Sequence, residues 1–149
     1  MDRPFVVENA RERERLRRLV NRISDEELRL PLWEGWTIAI AFAHLSFWDQ
    51  RALVLLKKWK TSGVMLSPID DDITNDSILP LCSAISPRVA ANLAVVAAEA
   101  IDLELEKASE DLIRDIRKLN ERFRLYRCDH RKLHLDQIES LIRVKEEKS

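Results

Sequence analysis

Residues 37–60, TIAIAFAHLSFWDQRALVLLKKWK, decide how the rest of the chain reads. Thr37 stands where a side-chain cap opens a helix, and Thr61-Ser62-Gly63 follows as its stop. Between them Ile38, Ile40, Ala41, Phe42, Leu45, Phe47, Trp48, Leu53, Leu55, Leu56 and Trp59 cover most of the circumference of a 3.6-residue helix. A helix that is apolar on more than one side has to be surrounded. It is therefore expected at the centre of a helical bundle, with His44 in the middle of its apolar wall.

Outward from this segment the pattern stays helical. Residues from about Val7 to Ile23 form an amphipathic helix with Leu16, Leu19, Val20 and Ile23 on one face. Its Arg/Glu run interleaves acids with bases, as in Glu14 and Arg18, and reads as an ion-paired, solvated face. Ser24-Asp25-Glu26-Glu27 is a capping box for a short turn of helix that Pro31 ends. After Gly63 comes a loop with Asp70-Asp71-Asp72 and Asn75-Asp76, then a short helical stretch around Pro80. Ser86-Pro87 starts a long helix through Val89, Leu93, Val96, Ala97, Ala100 and Leu103 to about Lys107. Ser109 caps a short piece from Leu112 to Leu119. The last helix, from about Arg127 to Glu147, has His130, Leu133, His134, Ile138 and Leu141 as its stripe, with Arg131, Lys132, Asp136, Glu139 and Arg143 toward water. No segment reads as a strand. The fold class is therefore all-α, a four-helix bundle with short extra helical turns in the connections, and residues 1–149 form a single domain.

Composition excludes several function classes. Two glycines, Gly35 and Gly63, leave no phosphate-binding loop and no dinucleotide fingerprint. A net charge of −1 argues against a nucleic-acid partner, whose phosphates call for an excess of Lys and Arg. No apolar run is long enough to span a bilayer, and the charged start offers no signal peptide, so no membrane role and a cytoplasmic location are expected. Cys82 and Cys128 show no metal or redox spacing and read as small buried hydrophobes. The aspartate run lacks the glycine and distant glutamate of a calcium loop.

The chain has three histidines. His130 and His134, four residues apart on one helix face, can chelate a single ion. A pair of imidazoles satisfied by hydrogen bonds in the core has the same spacing, and spacing by itself does not bring His44 to them.

The stretch GWTIAIAFAHLSFWDQRAL (35–53), with a tryptophan shortly before a helix carrying His-Leu, and HRKLHLDQIESL (130–141) resemble the DinB/YfiT-like superfamily of metal-binding four-helix bundles. That group includes the metal-binding domain of mycothiol-dependent maleylpyruvate isomerase. The resemblance spans nearly the whole chain in helix order. It implies that His44, His130 and His134 together ligate a divalent metal. Three neutral imidazoles leave an open coordination position, as in catalytic sites, with zinc the default ion and nickel, iron or copper also suited to imidazole. The implied activity is thiol-dependent transfer or isomerisation, using a low-molecular-weight thiol, or hydrolysis of a small molecule. The chain ends at Ser149 just past the last helix, so the isomerase's additional C-terminal domain, and its activity, are not expected here.

Two further residues are candidates for second-shell or substrate contact. Glu99, in the apolar run NLAVVAAEAIDL, can hydrogen-bond a ligand imidazole or else pair with Arg or Lys at the rim; Asn75 can reach the open end of the metal groove or cap a helix. Trp36 and Trp48 read as core, and Trp33 or Trp59 as a homodimer face. The alternatives to an enzyme are a non-enzymatic metal-binding or stress-related module and a metal-free interaction bundle, in which the histidines do not converge.

Overall fold

The computed structural model describes residues 2–148, and these are all-α apart from one small hairpin. In chain order they form α1 (Pro4–Arg22), α2 (Asp25–Leu28), β1 (Pro31–Trp33), β2 (Trp36–Thr37), α3 (Ile38–Ser62), α4 (Asp71–Ser83), α5 (Pro87–Lys107), α6 (Glu110–Arg117), a 3-10 turn at Arg122–Arg124 and α7 (Cys128–Glu147). The helix limits follow local chemistry. Ser24 and Glu27 make the reciprocal capping box at α2, the Thr37 hydroxyl accepts from Ile40 N at 3.2 Å, and Gly63 ends α3 at φ 90°. The four long helices close a ring in which α3 packs on α5, α5 on α1, α1 on α7 and α7 on α3. None of the described helices is long and apolar enough to cross a membrane.

α3 is central, as its composition requires, and every residue from Ile38 to Leu45 is buried. Its main partner, α5, turns Ala90, Ala91, Ala94, Ala97 and Ala98 inward and leaves Val89, Leu93, Val96 and Leu103 exposed. Of the run expected on this helix, Ala97 is inside while Val89, Leu93, Val96 and Leu103 face outward. Small side chains let the two helices approach closely, and that outweighs burying the larger ones one by one.

Three other expectations are corrected. Pro31-Leu-Trp and Trp36-Thr37 form an antiparallel pair around a turn that needs Gly35 at φ 77°. Residues 71–77 are helix rather than loop, because the Asp70 carboxylate accepts from Ile73 N and so starts α4 two turns earlier than Pro80 suggested. Finally, α7 is rotated relative to the expected stripe: Leu133 is exposed, whereas Arg131 is inside at 1% exposure.

Arg131 anchors a buried polar layer. It donates to both oxygens of Asp102 on α5 at 2.8 and 2.9 Å and to Asp49 on α3 at 3.2 Å, and it reaches the Asn9 carbonyl on α1 at 3.2 Å. Arg13 on α1 also binds Asp102 at 2.8 Å, and Arg127 binds Asp49 at 3.0 Å. The layer lies where two apolar clusters meet: on α3 one holds Leu45 and the other Leu53, with Asp49 between. Removing the cation alone would leave the buried Asp49 and Asp102 carboxylates with Arg127 and Arg13 as their remaining cations. Arg131→Met is expected to lower stability by about 3–5 kcal/mol, measured by urea unfolding. Replacing Asp49 and Asp102 by apolar residues as well is expected to recover much of that loss.

Candidate metal centre

The rotation of α7 that buries Arg131 also turns His130 and His134 toward α3. His44 Nε2 lies 3.0 Å from His130 Nε2, which lies 3.1 Å from His134 Nε2. The three rings meet nearly edge to face, with centroids 4.8 to 5.0 Å apart. Two imidazole nitrogens on one tetrahedral ion, at 2.0–2.1 Å each, are separated by about 3.3 Å, so the spacing fits a shared ion with little adjustment. Hydrogen bonding alone serves the cluster poorly. His134 Nδ1–H donates to Gln137 Oε1 at 2.9 Å, which leaves the Nε2 of that ring as a bare lone pair aimed at the cluster. His44 Nδ1 is buried with no partner among the described residues.

Burial keeps all three rings neutral. It depresses His44 to about 4, with help from His134. His130 falls to about 2 through burial and then the neighbouring His134, His44, Arg127 and Arg131. His134 is lowered by burial, against the opposing bond to Gln137. The hairpin covers the cluster: Trp33 stacks on His134 at 5.7 Å and Trp36 meets the edge of His44 at 4.9 Å.

A cavity of about 500 Å³ opens beside the cluster, with His44 and His130 in its wall. Asn75, on α4, also lines it and accepts a hydrogen bond from Trp48 Nε1 at 2.9 Å, so its place near the groove holds even though its segment is a helix. Glu99 does not reach the histidines. It is exposed and bonds Arg17 at the rim, because its position on α5 points it at α1 rather than inward. Trp59 is buried in the second apolar cluster, so it does not serve the dimer face expected of it, whereas Trp33 covers His134 and stays exposed. Both cysteines are buried, which pushes their thiols up, Cys128 to about 11.

The sequence reading missed Gln137, the Trp33/Trp36 cover and the Asp49–Arg131–Asp102 layer. Gln137 was within reach as a polar residue three positions after His134 on a helix. Comparison of the chain with protein-family models, with curated proteins and with solved structures finds no match.

The depressed imidazole values have a direction in pH. In the unfolded chain these histidines protonate near the ordinary 6.5, whereas the folded, metal-free chain keeps them neutral below that. The unfolded state therefore binds more protons in the interval. Stability of the metal-free protein is expected to fall as pH drops from 6.5 toward 4, by roughly 1.4 kcal/mol per pH unit for each imidazole that stays neutral. Urea midpoints across that range would check it, with a His44→Ala, His130→Ala double variant showing a shallower slope.

Proposed function

We propose that the chain is a divalent-metal-dependent enzyme acting on a small molecule, built on the four-helix-bundle plan of the DinB/YfiT-like superfamily. His44, His130 and His134 hold the ion, with zinc the first candidate and nickel or iron the next. The carrying observation is the convergence of three neutral imidazole Nε2 atoms beside a cavity. The donor set supports a catalytic role over a closed structural one, since structural zinc sites use four protein ligands and the described residues bring together three.

A divalent ion on three imidazoles retains a position for water or a thiolate and makes either a nucleophile near neutral pH. The chain's own residues do the rest. Gln137 fixes the tautomer of His134 so that Nε2 stays free to ligate. Trp33 and Trp36 exclude water from one side of the rings, and the cavity admits the substrate from the side of His44 and His130. Transfer from a low-molecular-weight thiol to an electrophile, and hydrolysis, are the two reaction types this arrangement serves.

Metal analysis of the purified protein is expected to give about one divalent ion per chain and none in His130→Ala; a metal-free wild type would overturn the assignment. Gln137→Ala is expected to weaken metal binding by about 10- to 100-fold, measured by competition with a chromophoric chelator. In screens of thiols with electrophiles and of small esters and amides, turnover should vanish with chelator and return with metal. A metal-loaded protein that unfolds on chelation and turns over nothing would instead mark a non-enzymatic metal module.

A further inference from the structure

The wall of the cavity away from the histidines is not matched to water or to a neutral substrate. Arg51 Nη2 donates to the Ser67 hydroxyl at 2.9 Å and has no carboxylate partner among the described residues. Arg124 Nη2 donates to the carbonyl of the same serine at 2.7 Å, so one residue holds two guanidiniums side by side. Arg124 Nε also donates to the Glu121 carboxylate at 3.4 Å. Burial lowers the pKa of Arg124 against the opposing pull of Glu121, and Arg51 and Arg127 nearby add to the fall. In the lining, Arg51, Arg124 and Arg127 stand against Asp71 and Glu121, leaving one positive charge over. Asp49, which Arg127 also holds, belongs with Arg13, Arg131 and Asp102 in the buried layer. Apart from Asn75 and the histidines, the remaining wall is apolar and includes Leu55, Leu56, Trp59, Ile101 and Leu105.

We propose that the cavity binds a small organic monocarboxylate, its carboxylate held by Arg51 beside Arg124 and its apolar body lying along Trp59, Leu55 and Leu105 toward His44 and His130. A planar guanidinium fork suits a carboxylate, and a surplus of one charge suits a singly charged group better than a phosphate. The volume lies within the usual range for an enclosed small ligand. As an assignment of substrate class this rests on the histidine cluster being the reactive centre, whereas the binding preference rests on the arginines alone.

The test is a calorimetric titration at pH 7.5 with 4-phenylbutanoate and with its uncharged analogue 4-phenylbutan-1-ol. It uses wild type and Arg51→Gln, each zinc-treated and chelator-stripped. Wild type is expected to bind the acid about tenfold or more tighter than the alcohol, the return of a charge-assisted hydrogen bond. That preference should appear with and without zinc. Arg51→Gln should abolish most of it while leaving the Kd of the alcohol unchanged. Equal binding of acid and alcohol by wild type would overturn the proposal without recourse to any variant. A preference seen only with zinc and untouched by Arg51→Gln would place the carboxylate on the ion, overturning the arginine site and supporting the metal reading. An Arg51-dependent preference in a protein that takes up no zinc would leave the cavity proposal standing and remove the metal.

Discussion

A guanidinium with 1% exposure cannot be left to itself, and the position of Arg131 therefore constrains every long helix. α1 must bring Asn9 and Arg13, α3 Asp49, and α5 Asp102 to one point along the axis of the ring. Apolar packing tolerates a helix that slips or rotates by part of a turn, but a bidentate ion pair does not. The pairing thus fixes the rotation of α7, and with it the direction of the adjacent His130 and of His134 almost one turn on. It fixes α3 as well, since Asp49 follows His44 by little more than a turn. The histidine geometry is a consequence of this layer as much as of the histidines themselves.

The electrostatics of the site are likewise shared between its parts. Burial does most to keep His130 neutral, and Arg127 and Arg131 add to it, so the cations that tie the helices also help keep that ring a base. Arg51 and Arg124 extend the same positive field along the cavity. A region that repels protons from imidazole and lacks carboxylates at the rings is suited to ligands that bring negative charge of their own.

How much of this was legible in the sequence depends on whether the determinant was local. Caps, the central burial of α3 and the limits of α5 were readable because Thr37, Ser24, Pro87 and Gly63 act on their immediate neighbours. The facing of α7 was not. By pattern Leu133 is apolar and Arg131 charged, and only the two aspartates on other helices reverse that order. The inward alanines of α5 were hidden for the same reason, since close approach is a property of a helix pair. Glu99 sits among apolar residues in sequence, yet its neighbour in space is Arg17 of α1. Gln137 and the tryptophan hairpin were missed because their importance lies in what they touch rather than in their own spacing. The three histidines converge as the resemblance implied, although periodicity alone joined only two of them.

His44 and His130 are separated by 86 residues and are brought together by α3 and α7. Closing so long a loop costs conformational entropy that only completed packing returns, so the triad cannot assemble from a partly folded intermediate in which α7 is undocked. The site thus forms only once α7 has docked on α3. Slow steps anywhere between α3 and α7 delay its appearance, and the recovery of its three-ring geometry would mark the end of refolding more faithfully than the recovery of helical content.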